Sequence, residues 1–562
     1  MASSLAVGPF HSEALMDGWE GEINLSSAEA RGPKNSSRTI SPPRLPQAKV
    51  DISMPRQSGR IIPLNRGGDF QSALVHANCG DTIVLQAGAT FTGNFVLPNK
   101  PCSGWVVIES SLTSNLPVGT RVGPAQAKYM AMIQSGRTAS SPINVEAGAH
   151  NYRFVGVEVT TAPGTWQYAL LNFDASQKTP EQEPHYMIVD RCYIHGDSIT
   201  TIRRAISFQV AYGAVVDSYI TEIHEPDTDS QAIAVWNGEG PFLYQNNYLS
   251  AASENIIFGG SAASLPNPVP SDIIIVGNHI TKNTAWRSAR PSWSVKNLLE
   301  LKCAQRVLIQ GNLLEYSWAE AQVGYALLLT PRGTDGANAN CTVADVTIIY
   351  NMIQHAGSGI EVGESDNGGP SQPTQRLLIE NNIFLDINPA LWGGDGRTIF
   401  LASEPGLQPP HDIIINHNDL SPDGGNHAMM LYGDPKAPLV FGMQFTNNIG
   451  SCGPYGVFQG GTGPGLPYLS NSFPGLIWNK IVLLTPNGNE LEGTHWPPGT
   501  YFSTPQKAQF TNYSEGNYTL RATSLFHKAG TDGKDIGADI NALKVALEGV
   551  RQRAPRSLEE NR

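Results

Sequence analysis

The segments LYQNNYL (243–249), IIVGNHI (274–280), LIQGNLL (308–314), IIYNMI (348–353), LIENNIF (378–384), IINHNDL (414–420) and FTNNIG (445–450) share one form, apolar-x-x-Asn-x-apolar. Their last Asn residues are Asn247, Asn278, Asn312, Asn351, Asn382, Asn418 and Asn448, spaced by 31, 34, 39, 31, 36 and 30 residues. VDRCYI (189–194) and VDSYI (216–220) fit the same frame, with Cys192 and Ser218 in the Asn column. Self-similarity at such a period is the mark of stacked coils. The segments are short, rich in Ile, Val and Leu, and bounded by Gly, Asn and Pro, so they read as strands. A buried Asn at one bend of each coil can bond its amide to the coils above and below. Leucine-rich repeats run shorter, and their Leu-x-x-Leu-x-Leu consensus is absent.

A second strand follows each Asn segment. Aligning AISF (205–208), AIAVW (232–236), NIIFGG (255–260), LLELK (298–302), ALLLTPR (326–332), GIEVG (359–363), TIFLA (398–402) and AMMLYG (428–433) gives two inward columns. One holds Ile206, Ile233, Ile256, Leu299, Leu327, Ile360, Ile399 and Met429. The other holds Phe208, Val235, Phe258, Leu301, Leu329, Val362, Leu401 and Leu431. Alternation then points Glu300, Lys302, Thr330 and Glu361 outward on one face.

Composition narrows the function. Of 562 residues only 15% are charged, and Gly (57) and Pro (40) are abundant, which excludes a coiled coil and a charge-driven disordered chain. The net charge of −12 disfavours a nucleic-acid binder, and no apolar run is long enough to span a membrane. Six cysteines are too few for a disulfide scaffold; Cys79 and Cys102 flank one short unit and can pair, and no CxxC spacing suggests zinc. The N-terminus lacks the basic start and apolar run of a signal peptide. The organisation expected is a flexible leader (1–60), an N-terminal cap and first coils (61–150), a coil core (151–460), and a loop-rich last coil and tail (461–562). Asp69 to Ala77 suits a short amphipathic helix that caps the open end of the first coil.

Over about residues 60–540 this pattern resembles the right-handed parallel β-helix, or pectate-lyase-like, proteins. The resemblance implies an all-β chain, a single solenoid with a short N-terminal capping helix. NYTLRATSLFHKAGTDGKDIGADI (517–540) resembles the closing coil of many bacterial β-helix proteins. NLLELKCAQRVLIQGNLL, followed by GYALLLTPRG one coil later, resembles the alginate lyase and chondroitinase B family of polysaccharide lyases. That family reads E-x-I-S-N-K, then L-x-x-R-H-G. Here Glu300 and Leu301 stand where Ser-Asn is usual, and the Arg motif is Thr-Pro-Arg-Gly. By resemblance Lys302 is the base and Arg332 the acid or charge stabiliser.

The chemistry calls for such a pair. Eliminating a 4-linked uronate removes the C5 proton beside a carboxylate, which must first be neutralised by Arg, Lys or a metal. A Lys base must be uncharged, which Arg332 favours and Glu300 and Glu361 oppose unless a calcium ion sits between the two carboxylates. Glu254 and Asn255, beside the bare Gly259-Gly260, and Trp236, Trp286 and Arg287 are candidate sugar contacts. The plainer alternatives are a solvated Lys302, a corner-capping Glu254 and loop-plugging tryptophans. Asp227 and Asp229, and Asp532, Asp535 and Asp539, read as turn formers. The histidines have no metal spacing.

Three further readings stand beside the lyase. Glu300 and Glu361, two coils apart, suit an inverting glycoside hydrolase; a C5-epimerase shares the lyase's first step; and a non-catalytic carbohydrate-binding or adhesion solenoid needs no chemistry at all. The expected partner is an anionic polysaccharide, with no nucleic acid and no membrane. The expected protein is a monomer, secreted or periplasmic.

Overall fold

The computed structural model describes residues 40–551, apart from 335–336, 425–428, 431–435, 460–461 and 467. Three long sheets carry the chain. The first has 14 strands, from Ile61–Leu64 to Ile477–Asn479; the second has 14, from Thr90–Thr92 to Thr500–Ser503; the third has 10, from Phe95–Leu97 to Ile399–Leu401. One turn of the path runs Ala304–Gln310, Leu313–Ser317, Tyr325–Leu329, one strand in each sheet. Val343–Ile349 then lies parallel to Ala304–Gln310 and starts the next turn. Parallel strands joined by crossovers wind right-handed. The fold is a right-handed parallel β-helix.

Each coil has three strands, one more than the sequence pattern suggested, because the Asn segments straddle a bend. In LIQGNLL, Leu308 to Gln310 belong to the first sheet and Leu313 and Leu314 to the second. The residue before the Asn makes the corner: Asn246, Gly277, Gly311, Tyr350, Asn381, His417 and Asn447 all have φ between 50° and 65°. Gly, Asn and other residues with short-range polar partners enter this left-handed region most easily.

The Asn column is a continuous ladder. Asn312 Oδ1 accepts from the backbone N–H of Asn278 at 2.9 Å and from its Nδ2 at 3.0 Å. Asn351 Oδ1 does the same for Asn312, and the pattern repeats through Asn382, Asn418 and Asn448. Ser218 and Cys192 extend it downward: Ser218 N–H donates to Asn247 Oδ1, and Cys192 N–H donates to Ser218 Oγ. All these residues are buried, so every amide must find its partners inside the coil stack.

Both inward columns of the third sheet stand in the expected register. Ile206, Ile233, Ile256, Leu299, Leu327, Ile360 and Ile399 pair in sequence from coil to coil. Val235, Phe258, Leu301, Leu329, Val362 and Leu401 do likewise, and all are buried in one core. Leu431 and the side chain of Met429 lie outside the described residues.

The first open end is closed by the helix Phe70–His76, whose N-cap Asp69 accepts from Ser72 N–H. Phe70 lies 4.7 Å from the Phe95 ring and seals the core. Residues 1–39 of the leader are outside the described part. Residues 40–54 run down the outer face of the first sheet, where Arg44 pairs with Asp345 at 2.7 Å and Gln47 N–H donates to Asp272 at 2.8 Å. Cys79 and Cys102 are disulfide-bonded.

The segment expected to close the last coil does something else. The last paired strand of the second sheet is Thr500–Ser503. The chain then turns back over the outer face of that sheet: Gly537 N–H donates to Asn447 O, Ala538 N–H to Asp419, Asp539 N–H to Asn381, and Arg121 holds Val550 O. Apolar residues of the hairpin Phe510–Asn512/Asn517–Leu520 and of the helix Ile540–Ala546 cover Ile383, Ile449, Val482 and Leu484. The reversal buries an apolar outer face that a closing coil would have left bare. No helix among the described residues is long and apolar enough to cross a membrane.

Candidate active site on the outer face of the third sheet

The outward column of the third sheet reads Ala234, Ile257, Glu300, Leu328, Glu361 and Phe400. Glu300 and Glu361 are therefore two coil rises apart with Leu328 between them. One residue beyond Glu300 the strand ends at Leu301, and Lys302 begins a second row. Its backbone N–H donates to Phe258 O at 2.7 Å, and its carbonyl accepts from Arg332 N–H at 2.9 Å. Lys302 and Arg332 thus occupy successive coils at one sheet edge, as the spacing predicted.

The glycines beneath them make room. A Cβ on Gly259 would stand 2.8 Å from Cys303 N and 3.0 Å from Lys302 Cβ, and Gly259 and Gly260 have φ of +92° and +78°. Only glycine meets both demands without strain.

Opposite charges alternate along this edge. Lys302 Nζ lies 3.3 Å from Glu300 Oε1, and Arg332 Nε lies 3.9 Å from Asp366. Glu300 is buried and its Oε2 has no hydrogen-bond partner. Burial, then the nearby Glu364, push the Glu361 carboxyl up to about 7, with Arg332 and Arg397 pulling the other way. A folded-state value above the ordinary 4.5 means the fold favours the protonated form. The contribution of Glu361 to stability is therefore complete below about pH 4.5 and is lost as the pH rises through about 7. Glu361→Gln should flatten the fall in Tm over this window relative to the parent protein, by a few degrees; identical Tm profiles would refute that assignment.

Cys303 and Cys341 form a disulfide that the sequence pattern did not suggest. It ties the residue after Lys302 to the far end of the loop that carries Arg332. One coil below, Glu254 is wholly buried: Gln231 Nε2 donates to its Oε2 at 2.8 Å, and Lys296 Nζ lies 3.7 Å from its Oε1. Burial and the charge of Glu300 raise its pKa. Lys296, which also pairs with Asp229 at 2.6 Å, was not singled out from the sequence.

Other expected contacts lie elsewhere. Asn255 points into the coil, where its amide donates to Leu249 O and Thr281 O, both at 2.6 Å; no sugar reaches it. Its Oδ1 is also one of five oxygens, with the carbonyls of Ala251, Ala252, Ser253 and Asn297, that surround the buried Lys282 ammonium at 2.5–3.2 Å. Trp286 is buried with Trp293, Trp318 and Ala252, in edge contact with His224. Arg287 donates to Leu391 O at 2.6 Å and stacks on Trp392. Both belong to a packed loop, as tryptophan-rich loops often do. Trp236 remains half-buried on the third sheet's face, against Arg204.

The residues do not suit a calcium ion between Glu300 and Glu361. Calcium needs six to eight oxygen ligands, whereas Leu328 separates these carboxylates and Lys302, Arg332 and Arg397 already supply positive charge. Among the described residues no three His, Cys, Asp or Glu side chains are grouped as metal ligands. A cavity of about 820 Å³ lies far from this edge, under residues 49–54 against the first sheet, and brings no two candidate residues together.

No protein-family description matches the chain, and no curated protein matches it either. Among solved structures it is similar to a mannuronic-acid-specific family 6 polysaccharide lyase from the human gut microbiota, at 11% identity and a TM-score of 0.46, covering 76% of this chain and 86% of that one. It is also similar to a pectate lyase, at 13% identity and a TM-score of 0.36, covering 86% and 96%. A third likeness is to the tailspike of an E. coli bacteriophage, at 12% identity and a TM-score of 0.42, covering 73% and 61%. The fold rests on the strand pairing described above, which needs none of them.

Proposed function

We propose that the chain is a polysaccharide lyase that cleaves a uronate-containing polymer by β-elimination at the Lys302–Arg332 edge. The observation that supports this reading is the stacking of the two cations on successive coils, with Arg332 N–H bonded to Lys302 O. In the proposed step Arg332 neutralises the substrate carboxylate, which acidifies the C5 proton. Uncharged Lys302 takes that proton, the electrons form the C4–C5 double bond, and the C4–O4 bond breaks. The leaving oxygen takes a proton from Glu361, whose carboxyl stays protonated to about pH 7. An ammonium is no base, so Lys302 must be uncharged in the complex.

One observation favours a second reading. A carboxyl held protonated to about 7, with another carboxylate two coil rises or about 9–10 Å away, near the upper end of the inverting separation of roughly 6.5–9.5 Å, also suits an inverting glycoside hydrolase. Ultraviolet absorbance during incubation with alginate, pectate, and chondroitin or dermatan sulfate separates the two. A rising unsaturated-uronate signal is the lyase; new reducing ends without it are the hydrolase. Because resident cations supply the positive charge, the signal should persist in EDTA, and its loss would mean that a metal is required.

A further inference from the structure

The third sheet's face carries a second cationic group, three coils below Lys302, that neither reaction scheme uses. Arg204 begins the strand Arg204–Ser207 and pairs in register with Gln231, which pairs with Glu254, one coil below the Lys302 strand. Its residue is 7% exposed. The guanidinium lies over two aromatic rings, 4.8 Å from the Tyr168 centroid and 4.7 Å from the Trp236 centroid. Its Nε and Nη1 are buried and have no hydrogen-bond partner.

That is an expensive arrangement for an isolated protein. A buried charge is normally paired, and a buried guanidinium normally spends its donors. Three carboxylates act on Arg204 from a distance without a hydrogen bond to it: Asp229 pairs with Lys296, Glu254 accepts from Gln231 and lies 3.7 Å from Lys296, and Asp174 accepts from Ser176 N–H. Arg203, the next residue, adds a like charge and also has a buried, unpartnered Nε. With its carbon packed over two rings, the guanidinium has its edge left as the donor surface. Such an edge matches a carboxylate by two parallel hydrogen bonds.

We propose that Arg204, clamped by Tyr168 and Trp236, is a subsite for the carboxylate of an acidic sugar bound away from the cleavage point. The proposal rests on reading this face as the binding face for an anionic polysaccharide. Three coil rises put Arg204 about 14 Å from the Lys302 coil, so it meets a sugar further along the polymer and not the one being cleaved. It therefore senses chain length and charge and has no part in the bond-breaking step.

The test is calorimetric binding in a Lys302→Ala background, which keeps the ligand intact. The probes are hexamannuronate, hexagalacturonate and a dermatan sulfate hexasaccharide, with the matching disaccharides and a neutral glucan hexasaccharide. Arg204→Met should weaken the acidic hexamer that binds by about 10- to 100-fold, the worth of one or two charge-assisted hydrogen bonds, and should leave the disaccharide unchanged. Arg204→Lys should recover only part of the loss. Tm should stay level or rise in Arg204→Met, because no hydrogen bond from Nε or Nη1 is lost with the charge and methionine still packs on the two rings. Unchanged hexamer affinity would overturn the subsite, and a lowered Tm beside it would make Arg204 a packing residue. A parent protein that binds none of the acidic hexamers would overturn the reading of the face itself, and the subsite with it.

Discussion

Lys302→Ala should abolish the ultraviolet signal of the unsaturated product, with a loss of about 10²- to 10⁴-fold, the range set by removing a general base. The stability of the coil should fall modestly, because Lys302 is a partly exposed edge residue whose ion-pair partner among the described residues is the buried Glu300, which the variant leaves unpaired. Intact circular dichroism and a cooperative melting curve lowered by a few degrees therefore accompany the expected result. Arg332→Ala should act on the same step by leaving the substrate carboxylate charged, and the double variant should be little worse than either single one, since the two act as a unit. Hydrolytic activity surviving in Lys302→Ala, but lost in Glu361→Gln, would move the assignment to the glycoside hydrolase. No loss of elimination in Lys302→Ala would remove Lys302 from the chemistry altogether.

The largest effect on stability is expected at the Asn ladder. Asn312→Ala removes the acceptor for Asn278 N–H and Nδ2 and the donor for the carbonyls of Ile275 and Gln310. With two or three buried polar groups stranded, the loss should be about 3–5 kcal/mol, read as a lowered denaturant midpoint. Asn312→Ser should lose about half as much, because Ser218 shows what a hydroxyl does in this column: its Oγ accepts from Cys192 N–H and donates to Val216 O. A serine variant as unstable as the alanine one would mean that volume at the bend matters more than hydrogen bonding.

Periodicity made the solenoid legible. Asn at a fixed place in a period of 30 to 39 residues announces a buried bend, and the Ile/Leu columns set the register of the third sheet to the residue. What periodicity concealed was the bend itself, because LIQGNLL is apolar on both sides of Asn312 and only the left-handed Gly311 splits it into two strands. The return of the chain over the second sheet was hidden for a similar reason: the apolar residues of 505–550 bury as well against an outer face as inside a coil.

The site was legible only where it follows a strand. Lys302 and Arg332 could be placed because each ends a countable β-segment. Asn255 and Trp286 could not, since a residue next to a bend points inward or outward by a few degrees of backbone rotation. Cys303–Cys341 and the Arg204 clamp join residues from different coils, and no local pattern marks which coil lies above which side chain.

The ladder also acts as a ruler that counts coils and ignores their length. The stretch from Asn312 to Asn351 takes 39 residues and the next, to Asn382, takes 31, yet both climb one rung. Six of the eight additional residues lie at 318–324, where the next coil has Gly357 alone, and two more in 330–342 against 363–373. Height along the axis is thus independent of the cargo each corner carries. Corners of such a molecule can be lengthened, trimmed or exchanged without moving the neighbouring rungs. A sugar gripped by one coil keeps its distance from the next whatever happens to the loops between them.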